Sequence, residues 1–243
     1  MVYHQKSFQE KDLTIINKFF KYYLSPILVK NNFKHGFFTK TSSEIQLSLL
    51  SKHLNEDNKD CILNQIHGNH IVLGSKTQGS EIVKADGMIS DKSNQNLWIY
   101  TADCLPILFA DKRKRLVAAI HCGRRGLEKK IIKNIIKILN YKGCLNEDLI
   151  VAIGPTISKK YYLVDNKNLR NFYINFSHKE SISFLNEMDI LFTLKNLVKN
   201  KNQILFSLDL KKCAHIQLLN ENITSKNIDI SNLCTYESNH LIN

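Results

Sequence analysis

The sequence contains no apolar run long enough to span a membrane, and its three prolines and nine glycines form no linker, repeat or low-complexity segment. Residues 1–10 are polar, and no apolar core with a small-residue cleavage site follows them. The six cysteines include no Cys-x-x-Cys pair. These absences predict a single domain over residues 1–243 that resides in the reducing cytoplasm, with free thiols and no membrane partner.

The chain is basic, with 34 Lys and Arg residues against 22 Asp and Glu residues and a formal net charge of +12. An excess of this kind favours anionic partners. However, the sequence has no run of five or more basic residues and no recognisable nucleic-acid-binding motif. We therefore expect small anions such as phosphate, and no nucleic acid, among the partners of this protein.

The hydrophobic pattern predicts a mixed α+β domain. Apolar runs at Leu105–Ala110, Leu116–Ile120 and Asp148–Gly154 are typical of strands buried on both faces. A one-sided apolar stripe predicts a helix from Leu127 to Leu139, which Gly143 would end. Helical spacing is also present at Glu44–Leu54, at Phe184–Val198 and at Leu208–Leu219 with Asp209 as its cap, while Phe8–Leu24 fits a helix or a helix–strand mixture.

Three short blocks each place one metal-binding side chain beside a glycine or at the border of an apolar run. The blocks are Asn-Gln-Ile-His-Gly at 64–68, Thr-Ala-Asp-Cys-Leu-Pro at 101–106 and Ala-Ile-His-Cys-Gly-Arg-Arg-Gly at 119–126. Their donors, His67, Cys104 and His121, form a candidate zinc site. Three protein ligands leave the fourth tetrahedral position for water or substrate, which is the pattern of a catalytic rather than a structural zinc.

Each donor taken alone has an ordinary interpretation. A single histidine such as His67 is most often a satisfied surface or core residue, and Cys104 fits an ordinary buried cysteine. His121 ends an apolar strand just before a turn and a helix, which is a position suited to anion binding. The joint occurrence of the three, rather than any one of them, favours a metal site.

In this order and spacing, the three blocks resemble those of the YfiH family, whose members are described as polyphenol oxidase (laccase) domain proteins or purine nucleoside phosphorylases. That family has Gln-(Val/Ile)-His-Gly, Thr-Ala-Asp-Cys-x-Pro and His-Ala-Gly-Trp-Arg-Gly blocks. This chain matches them at 65–68, 101–106 and 121–126. Further matches extend the resemblance over nearly the whole chain, at 35–39, 85–87, 153–155, 209–211 and 234–236.

The resemblance implies one α+β domain with mixed β-sheets flanked by helices, and a zinc ion held by His67, Cys104 and His121. It also implies phosphorolysis of adenosine, inosine, guanosine and methylthioadenosine, with adenosine deaminase activity as a further reaction. Zinc suits deamination, because it acidifies the water that it binds. Arg125 is the candidate phosphate ligand, since a guanidinium offers paired donors. An arginine at a helix start that pairs with a carboxylate is an equally good interpretation of Arg125.

The chain also departs from the family pattern. Arg124 stands where the family has tryptophan, so either its planar face replaces the aromatic ring or the specificity differs. Seven residues follow Tyr236, without the basic aromatic segment of many relatives. Cys122 is expected to face the core, and Asp86 or Asp103 is expected to orient ligands, move protons, cap a helix or support the ligands.

Three other functions remain open. In a cysteine hydrolase, Cys104 would be the nucleophile and His121 or His67 the base, with a peptidoglycan-precursor amide as substrate. A zinc-stabilised protein could instead bind a partner or metabolite without turnover. A copper oxidase is disfavoured, because multicopper chemistry needs more ligands at characteristic spacing than nine mostly isolated histidines supply.

Overall fold

The computed structural model describes residues 13–17, 20–39, 47–55, 57–79, 81–176, 192–195 and 205–237. Its helices are α1 (Pro26–Lys30), α2 (Leu47–Asn55), α3 (Arg124–Glu128), α4 (Ile131–Tyr141), α5 (Asn166–Phe176) and α6 (Leu210–Asn220). Its strands are β1 (Leu13–Asn17), β2 (Phe20–Tyr23), β3 (Phe37–Phe38), β4 (Lys59–Cys61), β5 (Ile71–Leu73), β6 (Gly87–Ile89), β7 (Gln95–Leu97), β8 (Leu105–Asp111), β9 (Val117–Cys122), β10 (Leu149–Ile153), β11 (Leu163–Asp165), β12 (Phe192–Lys195), β13 (Leu205–Leu208) and β14 (Ile228–Ile230).

The largest sheet has six strands in the order β14-β10-β8-β9-β6-β5. It is mixed, because β14 and β5 pair parallel to their neighbours while the other neighbours are antiparallel. Every residue of β10 is buried, as its unbroken apolar run predicts. Smaller sheets with the orders β1-β2-β3, β11-β13-β12 and β4-β7 contain the other described strands.

Strand direction brings distant parts of the chain to one end of this sheet. β9 runs antiparallel to β8 and β6, with His121 opposite Pro106 and Ile120 opposite Gly87. The end of β9 therefore lies beside the beginnings of β8 and β6. β5 begins at the same end, because Ile71 also lies opposite Gly87. The segments that precede β5 and β8 are those that carry the first two predicted zinc ligands.

The main apolar core joins the large sheet to α4 and α6. The buried side of α4 consists of the stripe predicted from the sequence, formed by Ile131, Ile132, Ile135, Ile136 and Leu139. A second cluster, with Tyr23, Leu28 and Phe37, packs against Ala110, Ile150 and Ala152 of the sheet. Burial of large aliphatic and aromatic side chains is the principal stabilising contribution to such a fold, at about 1.5–3 kcal/mol for each side chain.

The described elements confirm the α+β class with mixed sheets flanked by helices. That all of residues 1–243 form one domain stays a prediction. None of the described helices has the length and apolarity needed to cross a membrane.

The helix predicted from Leu127 to Leu139 is interrupted. Lys130 adopts a left-handed backbone conformation, with φ 59° and ψ 43°, so that α3 ends before it and α4 begins after it. A left-handed residue cannot continue a right-handed helix. Leu127 and Ile131 are nevertheless both fully buried, because the change of direction keeps both helices against the core.

Other predicted helices differ from the structure or are partly outside it. The described part of Phe8–Leu24 contains β1 and β2 as an antiparallel pair. Within Phe184–Val198, β12 pairs with β13, and the remaining residues lie outside the described ranges. α6 begins after Leu208, which belongs to β13, and Asp209 caps it as predicted by accepting a hydrogen bond of 2.9 Å from the Lys212 amide. Pairing with a neighbouring strand overrides helical spacing in the first two cases.

Candidate metal centre

His67, Cys104 and His121 lie together at the end of the large sheet where β8 begins and β9 ends. One possible ligand atom from each residue can be chosen so that all three lie within 4.8 Å of one another. The two imidazole rings are 4.7 Å apart between centroids and nearly perpendicular, at 89°. His67 is exposed, Cys104 is half-buried and His121 is buried. The cluster is therefore open to solvent on the His67 side.

The spacing of the three donors is suited to a single metal ion. Donors around one tetrahedral zinc lie roughly 3.5 Å apart, as follows from bond lengths of about 2.0–2.3 Å. A small side-chain movement would bring the observed cluster to that spacing. The three residues could bind a metal and would leave one position open.

Asp86, which immediately precedes β6, fixes the segment that carries His67. Its carboxylate accepts hydrogen bonds from the amides of His67 at 2.9 Å and Gly68 at 2.6 Å, with a longer contact to Ile66 at 3.3 Å. His67 adopts a left-handed conformation with φ 56°, which costs about 1–2 kcal/mol for a residue with a side chain. The convergence of these amides on one buried anion offsets that strain and fixes the loop.

The same carboxylate orients His121. Its Oδ1 accepts a hydrogen bond of 2.8 Å from Nδ1 of His121, and the other ring nitrogen, Nε2, is left with its lone pair for a metal. Burial lowers the pKa of His121, although the hydrogen bond to Asp86 opposes this effect. The imidazole is thus neutral at neutral pH, which is the form that binds metals.

The Cys104 thiol fits into space left by Gly123. A Cβ atom on Gly123 would lie 2.8 Å from Sγ of Cys104 and 3.7 Å from Cδ2 of His67. Burial raises the pKa of Cys104, and the nearby Asp103 and Asp86 carboxylates raise it further. Without a metal, Cys104 is therefore a protonated thiol at neutral pH.

A family model described as multi-copper polyphenol oxidoreductase laccase matches residues 42–241. The chain belongs to this laccase family. This match confirms the resemblance to the YfiH laccase-domain family as well. The crystal structure of Bacillus licheniformis YfiH has a TM-score of 0.64 at 23% identity, over 80% of this chain and 72% of that one. YlmD from Geobacillus stearothermophilus has a TM-score of 0.67 at 24% identity, over 80% of this chain and 70% of that one. These two structures show the same fold.

Relatives of this laccase-family chain are named for a different activity from the one in the family description. A Synechocystis protein named purine nucleoside phosphorylase is 27% identical over 222 residues, which is 85% of this chain and 82% of the relative. A Rickettsia conorii protein with the same name is 39% identical over 111 residues, which is 46% of this chain and 45% of the relative. The second match spans about half the length of that relative.

The fourth residue to which the sequence assigned a role lies on the helix that follows His121. Arg125 is exposed on α3, the short helix that follows His121 and Gly123. Among the described residues, no carboxylate forms an ion pair with it. Cys122 is fully buried in the main core of this laccase-family domain, as alternation along β9 predicts.

An ion pair beside the site was not predicted from the sequence. Arg124 pairs with Glu128 four residues later, and their side chains are only 15% and 13% exposed. Burial raises the pKa of Tyr162, while a hydrogen bond and the charge of Arg124 oppose that rise. The opposite charges at i and i+4 were the available signal. Arg124 is thus held by Glu128 and Tyr162, whereas Arg125 has no such partner within the described part of the chain.

Proposed function

We propose that this chain is a zinc-dependent purine nucleoside phosphorylase. It would convert adenosine, inosine and guanosine to the free base and ribose 1-phosphate, and methylthioadenosine to adenine and 5-methylthioribose 1-phosphate, with deamination of adenosine as a second reaction. The observation that carries the proposal is the open His67–Cys104–His121 cluster, in a chain whose curated relatives are named purine nucleoside phosphorylases.

Zinc is the metal that best matches these donors. Two imidazoles and one thiolate are zinc donors, and three protein ligands with an open fourth position follow the pattern of catalytic zinc sites. When bound, zinc supplies a Lewis acid to the open face. Multicopper chemistry, which the family description names, would need further donor clusters, and the described residues contain a single cluster of three or more His, Cys, Asp and Glu side chains.

Arg125 is our candidate for phosphate binding. Its exposure and the lack of a carboxylate partner among the described residues leave the guanidinium able to bind a bidentate anion. Arg124 is less suited to this role, because Glu128 already neutralises it.

The chemistry of Cys104 favours metal ligation over nucleophilic catalysis. A nucleophilic cysteine normally has a lowered pKa, whereas burial and two carboxylates raise the pKa of this one. His121 donates Nδ1–H to Asp86, which leaves the lone pair of Nε2 available to a metal. These features support the phosphorylase over a cysteine hydrolase.

The proposal is tested by chromatographic detection of the free base and the sugar 1-phosphate from adenosine, inosine and methylthioadenosine, with and without phosphate. The sugar product is ribose 1-phosphate from the first two and 5-methylthioribose 1-phosphate from the third. Zinc content is assayed on the same wild-type and Cys104→Ala samples. We expect phosphate-dependent base release that is lost together with zinc in the variant. Stoichiometric zinc without product from any nucleoside would contradict the proposal and favour a hydrolase of another substrate or a binding protein.

The phosphate role has its own test. Arg125→Ala should raise KM for phosphate by about 10- to 100-fold, the scale of a lost charge-assisted hydrogen-bond pair, with little change in KM for the nucleoside. Arg113→Ala is the matched control, since Arg113 is also an exposed arginine but pairs with Asp148. Equal effects of the two substitutions would rule out a specific phosphate contact.

A further inference from the structure

The turn after β14 is attached to the segment that carries Cys104. Cys234 forms a parallel bridge with Thr156, and the Thr235 amide donates a hydrogen bond of 3.2 Å to the Thr156 carbonyl. Thr156 is fully buried, and Thr235 is 1% exposed. These two threonines thus lie side by side in the interior, although they are far apart in the chain.

Both threonine hydroxyls bind Asp103, the residue immediately before Cys104. Oγ1 of Thr235 donates a hydrogen bond of 2.6 Å to the Asp103 carboxylate, and Oγ1 of Thr156 donates to the Asp103 carbonyl. The Ile157 amide donates to the same carbonyl at 3.1 Å. The side chain and the peptide group of Asp103 are therefore held by separate donors.

The Cys104 thiol must be placed accurately, although regular secondary structure does not fix the backbone that carries it. Residues 102–104 form a bend rather than a strand, so no ladder of sheet hydrogen bonds fixes the Cys104 backbone before β8 begins. On the other side, Sγ of Cys104 fits only because Gly123 lacks a Cβ atom. The hydrogen bonds to Asp103 supply the constraint that regular structure does not.

We propose that Thr235 and Thr156 are positioning residues that act through Asp103 to place the Cys104 thiol in the metal site. Thr235 contributes through the carboxylate and Thr156 through the carbonyl. The inference rests on the metal site of the proposed function, but it does not depend on which substrate the protein turns over. It gives the turn at 234–237 a role in metal affinity, although that turn contributes no metal ligand.

The test compares Thr235→Val, which keeps the shape but removes the hydroxyl, with Thr235→Ser, which keeps the hydroxyl. Zinc affinity is measured by competition with a chromogenic chelator. We expect the valine variant to bind zinc about tenfold more weakly or worse, and the serine variant to stay within about twofold of wild type. Thr77→Val is the control, because it removes a threonine hydrogen bond of 2.8 Å to the Gly74 carbonyl, outside the residues of this site.

A second measurement uses the metal-free protein. The alkylation rate of Cys104 is followed by mass spectrometry, and the other five cysteines are buried. Release of the Cys104 segment in Thr235→Val should increase that rate about tenfold, while Thr235→Ser and Thr77→Val should not. If Thr235→Val does not fold, Thr156→Ser and Thr156→Val replace the pair and test the same constraint through the carbonyl.

Wild-type zinc affinity and wild-type Cys104 alkylation in the valine variant would overturn the inference, as would an equal change in the control. Nucleoside turnover is recorded separately. If Thr235→Val loses zinc affinity while the wild-type protein, loaded with zinc, turns over no nucleoside, the positioning role is supported and the phosphorylase is contradicted. The two failures are therefore distinguishable.

Discussion

The two carboxylates whose charges act on Cys104 are held in different ways. Asp86 is completely buried, and it accepts hydrogen bonds from the backbone of the His67 segment and from the His121 ring. Asp103 is half-buried, and its carboxylate accepts a hydrogen bond from a hydroxyl, that of Thr235. Asp86 thus fixes both histidines through its charge. Asp103 instead links the cysteine to the turn at 234–237.

The difference shows that one metal site can depend on two kinds of support. A buried anion surrounded by N–H donors tolerates no neutral substitute, since the donors would lose their partner. A half-buried acceptor of a hydroxyl hydrogen bond needs only an oxygen in the same place. The histidine side should therefore be sensitive to the loss of a charge, and the cysteine side to the loss of a hydroxyl hydrogen bond.

The largest effect is expected from neutralising Asp86. Asp86→Asn should lower the free energy of unfolding of the metal-free protein by about 3 kcal/mol or more, because buried donors lose a charged acceptor. Zinc affinity should fall by more than about 100-fold, since both histidines lose their orientation. Urea unfolding and chelator competition measure the two quantities.

Asp103→Asn is the matched control for Asp86→Asn. The asparagine oxygen can still accept from Thr235, so the free energy of unfolding should change by less than about 1 kcal/mol. Losses of equal size in the two variants would show that the carboxylates have the same role.

Gly123 lies where the histidine side and the cysteine side meet. Gly123→Ala should weaken zinc binding by about 10- to 100-fold, because the new methyl group would displace the Cys104 thiol. Gly79→Ala is a close control: Gly79 has φ −82° and ψ −178°, Gly123 has φ −79° and ψ −179°, and a Cβ on Gly79 meets nothing within 4 Å. Zinc affinity in Gly123→Ala that matches the Gly79→Ala value would mean that the thiol is not confined by this contact.

The smallest effect on zinc affinity is expected from a change of pH. Because the pKa of Cys104 is raised and that of His121 is lowered, both groups are neutral in the metal-free protein between about pH 7 and 8. Zinc binding must then release about one proton, from the thiol, and the affinity should fall about tenfold for each pH unit of acidification. Calorimetry in buffers of different ionisation enthalpy counts the protons. In Cys104→Ala, residual binding that keeps the same slope would contradict this assignment.

The positions of the three donors could be predicted from the sequence, which also indicated Asp86 or Asp103 as support for the ligands, but the contacts through which each carboxylate acts could not. The blocks around His67, Cys104 and His121 have a distinctive order and spacing, and the sheet register brings them to one end. The role of Asp86 depends on the left-handed conformation of His67, which no residue type in that block specifies. The contact of Thr235 with Asp103 joins residues far apart in the chain, and local patterns contain no information about such a pair.

The prediction of helices and strands was limited in the same way, because local patterns do not contain the contacts between distant segments. Strands β8, β9 and β10 were predictable because their apolar runs are long and buried. The break at Lys130 was not, since lysine fits a helix well and its left-handed backbone is imposed by packing on both sides. At β12, the pairing partner lies in β13, so spacing within one segment predicted the wrong structure.

The assembly of the metal site from three separate strand ends also determines when a metal can act during folding. β8 and β9 form a local hairpin that brings Cys104 and His121 together, whereas His67 joins them only after β6 has paired with β9, and pairing at longer range forms slowly compared with local contacts. A metal held by all three donors therefore binds after the long-range pairing. It stabilises a structure that is already formed. Because an interaction of this kind is absent from the folding transition state, it slows unfolding rather than speeding folding. In this molecule the metal would prolong the lifetime of the native state.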